Sequence, residues 1–366
     1  MVMRTRHILT PAGVFGAFAV LYILISLING NDLLFKPVWD IGHYQSIAER
    51  GYEVRPCDPA VDYPIGDICG NVGWFPTWPL VVKILSFGQV PFGLKVLPFL
   101  FALLGFILFY NLLLRLAGSQ AAVIGTIALA ATPTAFYYLT GFPYSLILVL
   151  VAAYLCFLYG PDARGRRYAL PALALLISLS YPPAFLAAVI PLVMVLKQFM
   201  KKEHRPSVTT GLKDLAYYVV PFALGPLLLS AYFYFKFDDF FLITHFQAKY
   251  YRSWDFPLSV IWQSFLKFPA LYVENASVLF YGLILVVFAP YRLKSELIAY
   301  FVLFLFFSPA TGSITSVYRH YLLLFPAAMI IGSSPRPLWV KAVYIALGLL
   351  LSLLRFYPIF MNGRLI

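Results

Sequence analysis

Long apolar stretches recur along the chain from one end to the other, with shorter polar segments between them. Several approach the roughly 20 residues that a helix needs to cross a bilayer. The shorter stretches are typical of tilted or half-spanning helices. The pattern predicts an all-α, polytopic transmembrane protein with about eleven spans. These are Ile8–Ile28, Leu94–Leu116, Ala121–Tyr138, Tyr144–Gly160, Tyr168–Leu179, Ala184–Met200, Leu215–Phe235, Ser277–Tyr291, Leu297–Ser308, Tyr321–Gly332 and Leu338–Phe356.

Composition and charge agree with this class. The chain is 61% hydrophobic, 18% aromatic and only 11% charged, with a mean hydropathy of +0.83, whereas a soluble domain carries more charge. If the N-terminus is cytoplasmic, the cytoplasmic loops carry nearly all of the net charge of +12, as the positive-inside rule expects. The basic balance therefore requires no nucleic-acid partner, and no nucleic-acid-binding motif supports one.

We expect a single domain over residues 1–366, because no linker, low-complexity tract or internal repeat divides the chain. Two polar segments on the extracytoplasmic side are too long to be simple turns: Asn29–Gly93 and Lys236–Ala276. Long ordered loops usually carry function. These two segments, each with short interfacial helices, are therefore the first places to look for a site.

The first long segment contains a short amphipathic helix between Trp39 and Tyr52, which we expect to end at Gly51. Asp40 and His43 are three residues apart and so share one face of this helix. The carboxylate of Asp40 is a candidate general base, with His43 orienting it or holding a phosphate. The alternatives are that Asp40 caps the helix and that His43 is an ordinary interfacial histidine. An apolar stripe is expected to face the bilayer edge: Ile41, Tyr44, Ile47 and Ala48.

The second long segment interleaves basic and aromatic residues between His245 and Trp254. Such a run suits a phosphorylated lipid, since cations bind the phosphate and rings contact the chain. Arg319 and His320, at the end of a later span, are expected to complete an anion pocket. The alternative is an aromatic belt with cations that reach towards the lipid headgroups.

Cys57 and Cys69 lie in the first long segment, in an oxidising compartment if the orientation is right. We expect a disulfide between them, which stabilises by about 3 kcal/mol on loop-entropy grounds. Three acids in the same loop have the chemistry for Ca²⁺ or Mg²⁺, but their spacing matches no standard metal loop: Asp58, Asp62 and Asp67. We expect a solvated acidic surface and no metal or other cofactor.

Several motifs resemble the GPI mannosyltransferase II family and its prokaryotic relatives, within the C-type glycosyltransferase (GT-C) superfamily. The first motif is Trp39-Asp40-x-x-His43-Tyr44-x-x-Ile47-Ala48-x-x-Gly51-Tyr52. The resemblance continues, in the expected order, through Phe75-Pro76-Thr77-Trp78-Pro79-Leu80, Thr132-Pro133-Thr134-Ala135-Phe136, Pro143-Tyr144-Ser145, Gln247-x-x-Tyr250-Tyr251-Arg252 and Arg319-His320-Tyr321.

This resemblance implies transfer of a sugar, usually mannose, from a polyprenyl- or dolichyl-phosphate carrier to a hydroxyl of a lipid or glycan acceptor. The reaction is expected to be metal-independent and inverting, on the extracytoplasmic or luminal face of a membrane, with Asp40 as the base. His43 and a set of basic residues are then placed around the donor phosphate: Lys249, Arg252, Arg319 and His320. The motif residues expected to contact substrate are Trp39, Tyr44, Trp78, Tyr144 and Gln247.

The chain departs from the family pattern at three places. Leu146 stands where the family usually has an acid, and Tyr250-Tyr251 stands where it has Trp-Gly. An insertion with Cys57 and Cys69 separates two motifs that are normally closer together. These departures bear on the acceptor and the sugar more than on the reaction class.

Two other functions fit the pattern less well. A transporter or flippase of a lipid-linked or amphiphilic substrate usually has ionisable groups inside its spans and repeated halves, whereas charges here lie at span ends and in the two long segments. A non-catalytic membrane subunit is the third alternative. The sequence favours a membrane glycosyltransferase.

Overall fold

The computed structural model describes residues 6–30, 40–60, 66–161, 165–200, 206–250, 254–268 and 270–363. This part of the chain is almost entirely helical. The helices of its first half are α1 (Arg6–Ile28), α2 (Asp40–Arg50), α3 (Thr77–Leu85), α4 (Val90–Ala117), α5 (Ser119–Ala130), α6 (Tyr144–Leu158), α7 (Arg166–Ser178) and α8 (Val189–Met200). Those of its second half are α9 (Val208–Tyr218), α10 (Val220–Phe237), α11 (Leu242–Ala248), α12 (Pro257–Leu266), α13 (Tyr272–Val287), α14 (Ser295–Ala310), α15 (Val317–His320), α16 (Pro326–Ser333), α17 (Leu338–Leu351) and α18 (Tyr357–Met361).

The chain is a polytopic membrane protein of the all-α class, as the sequence predicts. Five helical stretches are long and apolar enough to cross a bilayer: His7–Ile28, Val90–Ala117, Pro182–Met200, Val220–Phe237 and Leu338–Met361. Four shorter apolar helices accompany them: α5, α6, α13 and α14. These four helices are shorter than a full bilayer crossing requires, in agreement with the short apolar stretches of the sequence.

Three predicted spans have the wrong internal structure. The stretch Ala121–Tyr138 stops being α-helical at Ala130 and continues as a 3₁₀ turn over Ala135–Leu139. The stretch Leu215–Phe235 is divided between α9 and α10, with Pro221 near the start of the second helix. The stretch Tyr321–Gly332 is a short 3₁₀ turn followed by α16, because Pro326 has no N–H to donate to a carbonyl of the preceding turn.

The helix α2 begins at Asp40 and is followed by Gly51, whose φ of +85° favours glycine, so the predicted bounds are close. The expected environment of its apolar stripe is wrong. The four stripe residues are buried within the protein and do not face lipid: Ile41, Tyr44, Ile47 and Ala48. A helical period of apolar residues identifies a covered face but not what covers it.

Residues 132–155 form the centre of the bundle, where nearly every side chain is buried. Hydrogen bonds join this centre to a distant part of the chain. The Thr134 hydroxyl donates to the carbonyl of Tyr318 at 2.8 Å, and the Tyr138 hydroxyl donates to that of Leu322 at 2.9 Å. Buried polar groups need such partners, so these bonds fix the 318–322 segment against the bundle.

A small antiparallel hairpin follows α2. Its strands are β1 (Val54–Arg55) and β2 (Cys69–Gly70), with Val54 opposite Gly70 and Arg55 opposite Cys69. Cys57 and Cys69 form the expected disulfide, with Cα atoms 4.9 Å apart. The disulfide therefore ties the loop of the hairpin to its second strand. We call residues 54–60 and 66–75 the hairpin segment.

Candidate active site

The candidate site is centred on an ion pair between two residues that are 279 positions apart. Arg319, in α15, donates from Nη1 to Oδ2 of Asp40, the first residue of α2, at 2.8 Å. The Arg319 side chain is 8% exposed and that of Asp40 is 25% exposed. The arginine is therefore buried, whereas the carboxylate keeps a surface that another molecule can reach.

Asp40 does not cap its own helix within the described part of the chain. Arg319 is its one hydrogen-bond partner among those residues, and it uses only Oδ2 for this contact. Oδ1 is left without a partner there. The arrangement thus fixes one oxygen and presents the other, which differs from the capping alternative, where the carboxylate accepts from backbone amides.

The Arg319 guanidinium is held by contacts on several sides. Nη2 donates to the hydroxyl of Ser316 at 2.9 Å, and the guanidinium carbon lies 5.6 Å from the centroid of the Phe142 ring. Nε is buried and has no acceptor among the described residues. Burial is the largest single influence and opposes the charge, but the Asp40 carboxylate and the surrounding tyrosines together raise the pKa of Arg319 well above its ordinary value.

The backbone beside Arg319 is strained. Ser316, which precedes α15, has a φ of +64°, a conformation that is uncommon for residues other than glycine. Strain of this kind persists where the surrounding structure determines it, and it clusters at functional sites. Here it brings the Ser316 hydroxyl to Arg319 and supports the view that α15 is built to hold the guanidinium.

Buried tyrosines surround the pair. Tyr144 donates its hydroxyl to that of Tyr181 at 3.1 Å, and the Tyr181 ring packs edge-on against His320 with centroids 5.8 Å apart. The Nδ1 atom of His320 lies 3.1 Å from the Ser308 hydroxyl. Burial, with Tyr181 and Asp40 nearby, raises the pKa of the Tyr44 phenol well above its usual value. Tyr44 therefore stays neutral and can serve as a hydrogen-bond donor.

His43 lies one turn along α2 from Asp40, as predicted, and stacks on Trp74. The two rings are almost parallel, with centroids 3.6 Å apart and an interplanar angle of 12°. Trp74 in turn packs edge-on against Phe246 of α11 at 5.7 Å. His43 is thus held from the side of the hairpin segment, whereas Asp40 is held from the side of the bundle.

The other predicted site residues lie elsewhere or cannot be placed. Trp78 is fully buried, and its indole nitrogen donates to the carbonyl of Gly141 at 2.6 Å, so in this structure it belongs to the core. Lys249 and Gln247 pack against the hairpin segment. Trp39 and Arg252 lie outside the described residues. The roles assigned to all of these residues stay predictions.

No three His, Cys, Asp or Glu side chains within the described ranges form a group that could hold a metal ion. Asp62, one of the three loop acids, lies outside those ranges. The expectation that these acids bind no metal therefore stays a prediction.

Sequence reasoning missed three residues of this site: Trp74, Tyr181 and Ser316. Trp74 comes immediately before the Phe75-Pro76 motif, and Tyr181 comes immediately before Pro182-Pro183. An aromatic residue beside a proline motif in a polar segment is a usable signal. No sequence signal marks Ser316, because its importance lies in its backbone conformation.

Comparisons with known proteins give little further information. No protein-family model matches the chain, and no curated protein matches it. One solved structure, ArnT from Cupriavidus metallidurans bound to undecaprenyl phosphate, is similar over 90% of this chain, with a TM-score of 0.49 and 18% identity. The chain spans 63% of the length of that protein chain. This likeness is too distant to place the chain in a family.

Proposed function

We propose that the chain is a membrane glycosyltransferase of the GT-C superfamily. It transfers a sugar from a polyprenyl- or dolichyl-phosphate carrier to a hydroxyl of a lipid-linked or glycan acceptor. The observation that carries the proposal is the Asp40–Arg319 pair, in which one carboxylate oxygen is fixed and the other has no hydrogen-bond partner among the described residues. The motifs that resemble the GPI mannosyltransferase II family support the reaction class and favour mannose as the sugar.

In the proposed reaction, Oδ1 of Asp40 removes the proton from the acceptor hydroxyl as its oxygen attacks the anomeric carbon of the sugar. The bond between that carbon and the phosphate oxygen breaks, and the electron pair leaves with the polyprenyl phosphate. Asp40 then releases the proton to solvent. A single displacement of this kind inverts the configuration at the anomeric carbon.

Arg319 has two parts in this scheme. Its Nη1 contact fixes Oδ2 of Asp40 and so orients the carboxylate, and its buried Nε offers a hydrogen bond that no described residue accepts. The leaving phosphate gains negative charge in the transition state, and fixed donors stabilise that charge best where water is excluded. An oxygen of the departing phosphate is therefore a suitable acceptor for this N–H.

The distribution of basic residues supports an extracytoplasmic site. With a cytoplasmic N-terminus and the predicted spans, the segment that carries Asp40 falls on the side with almost no net charge, and the basic excess falls on the opposite side. Donor and acceptor would then meet on the outer or luminal surface of the membrane.

The experiment is a transfer assay with purified protein in detergent. Radiolabelled polyprenyl-phosphate mannose is the donor, a membrane lipid extract supplies acceptors, and mass spectrometry identifies the product. Asp40→Asn should lower turnover by about 10²- to 10⁴-fold, the usual contribution of a general base. Glu49→Gln makes the same chemical change on an exposed position of the same helix and should keep activity.

Near-normal turnover of the Asp40→Asn variant would remove Asp40 from the mechanism. Movement of the donor across a proteoliposome membrane, with no covalent transfer, would instead favour a transporter or flippase. Thermal unfolding of both variants in detergent checks that a loss of turnover is not a loss of folding.

A further inference from the structure

A second, smaller apolar cluster lies beside the main core and joins four parts of the chain. It connects α2 with the hairpin segment, the end of α10 and the short helix α11. Its buried members are Ile47, Tyr52, Val72, Phe75, Leu229, Phe233, Leu242 and Phe246. Since Ile47 belongs to α2, this cluster contacts the helix that carries Asp40 and His43.

Two lysines make polar contacts between the same parts of the chain. Lys236, near the end of α10, donates to the carbonyl of Tyr52 at 2.7 Å. Lys249, just after α11, places its ammonium 3.5 Å from both the carbonyl of Ile68 and the sulfur of Cys69. The same ammonium lies 3.9 Å from the centroid of the Phe246 ring, which is a close cation–π contact. Lys249 therefore contacts both the disulfide and α11.

The hairpin segment and α11 approach each other closely enough to require glycine at two positions. A Cβ atom on Gly66 would lie 2.6 Å from Cβ of Lys249, and a Cβ on Gly73 would lie 2.6 Å from the Phe246 ring. These distances are well inside van der Waals contact. The end of α11 thus rests directly on the main chain of the hairpin segment.

Contacts continue from this junction to the candidate site. Phe246 packs edge-on against Trp74, and Trp74 stacks on His43. His43 is one helical turn from Asp40. A continuous series of ring contacts therefore leads from the Lys249 ammonium to the helix that carries the proposed base.

We propose that Lys249 is a positioning residue. Together with the Cys57–Cys69 disulfide, it holds α11 on the hairpin segment, and through Phe246 and Trp74 it fixes His43 and α2. The effect on catalysis rests on the proposed function, whereas the effect on α2 does not. This role differs from the phosphate-binding role that the resemblance implies for Lys249.

The first test is hydrogen–deuterium exchange of the full-length protein in detergent. Lys249→Met keeps most of the aliphatic stem but removes the ammonium. It should speed amide exchange in α11 and in α2 by about three- to tenfold, as expected for the loss of one partly buried cation–π contact. Lys267→Met is the matched control, because Lys267 is an exposed lysine at the end of α12, and it should leave both helices unchanged.

The second test combines this change with loss of the disulfide. Cys57→Ser/Cys69→Ser should speed exchange in the same two helices, and the triple variant should exchange no faster than the faster parent, because both changes release one contact system. If the cysteine variant does not fold, Lys249→Met alone still decides the point. Unchanged exchange in α11 or in α2 would overturn the proposal.

Kinetics separate positioning from phosphate binding. A positioning role predicts that Lys249→Met lowers kcat several-fold with little change in KM for polyprenyl-phosphate mannose. A higher KM with unchanged amide exchange would indicate that Lys249 is a phosphate ligand. Faster amide exchange with unchanged kcat would indicate a purely structural role. Either result contradicts the proposal. If the wild-type protein shows no transferase activity, the exchange of α2 still tests the contact, while the proposed function alone fails.

Discussion

The helix α2 is held on two sides, and the two sides are built differently. Towards the bundle, its buried side chains Ile41, Tyr44 and Ala48 belong to the main core. Ile41 packs closely against Gly141: a Cβ atom added to Gly141 would lie 2.8 Å from Cγ2 of Ile41. Towards the hairpin segment, Ile47 belongs to the small second cluster. One helix therefore depends on two separate packing units.

The polar contacts differ in the same way. On the bundle side, the buried guanidinium of Arg319 forms an ion pair with the Asp40 carboxylate. On the hairpin side, lysines donate to main-chain carbonyls, and a stack of rings reaches His43. The direct contact both pairs the charge of Asp40 and fixes its position, whereas the stack fixes position alone. We therefore expect changes on the bundle side to be more damaging.

The strongest way to break the bundle side is Arg319→Leu. This change leaves the Asp40 carboxylate partly buried without its partner, and it should lower the free energy of unfolding by about 3 kcal/mol. Thermal unfolding in detergent measures the loss. It should also abolish transfer, since the proposed base loses its orientation.

Two further variants test whether the loss of stability in Arg319→Leu comes from the broken ion pair. The double variant Asp40→Asn/Arg319→Leu should lose less stability than the two single losses added together, because no unpaired charge remains. Arg319→Lys should be intermediate, because an ammonium lacks the fork that reaches Asp40 and Ser316 together. Strict additivity of the single losses would contradict a direct pair.

The hairpin side is broken most cleanly at Gly70. Its φ is +133°, and an added Cβ would lie 2.1 Å from the carbonyl oxygen of Glu53. Gly70→Ala should therefore lower the free energy of unfolding by about 2 kcal/mol through backbone strain and a clash. Thermal unfolding again measures the change, and exchange of the hairpin amides locates it.

Gly42→Ala is the control for this change. Gly42 lies in α2 between Asp40 and His43, and an added Cβ there meets nothing within 4 Å. Alanine is the better helix former, so this variant should be as stable as the wild type or more so. If Gly70→Ala were equally harmless, the hairpin would not be a rigid support for α2.

The sequence predicts α2 well but not its surroundings. The apolar stripe predicts the helix, and Gly51 predicts where it ends, because helix formation and termination depend on local sequence. The burial of Tyr44 and Ile41 against protein depends on residues such as Gly141, a hundred positions away. The same limit explains Trp78: a Trp beside prolines is compatible with an interfacial anchor and with a core position, and only packing distinguishes them.

The candidate site shows the same division. Asp40 and Arg319 are each marked by their motifs, but no local pattern shows that they meet across 279 positions. The hydrogen bond of Thr134 to the Tyr318 carbonyl, which holds α15 in place, is likewise non-local. The resemblance implies that Lys249 and Arg319 bind one phosphate, and that shared site stays a prediction. In the structure, Lys249 contacts the hairpin segment and Arg319 contacts the Asp40 carboxylate.

Trp74 gives the smallest expected effect and the sharpest test of the hairpin side. Trp74→Leu removes the ring that stacks on His43 but keeps the main-chain carbonyl that accepts the Tyr52 hydroxyl at 2.8 Å. The hairpin should therefore stay folded. Loss of one aromatic stacking contact is worth about 1 kcal/mol, so kcat should fall about fivefold.

Trp74→Phe separates stacking from bulk, because phenylalanine keeps a ring beside His43 and should retain most of the activity. Turnover with polyprenyl-phosphate mannose measures both variants, and thermal unfolding checks that their stabilities match. If the leucine variant kept full turnover, His43 would need no support from the hairpin segment. The two sides of α2 would then differ in kind, with only the bundle side contributing to catalysis.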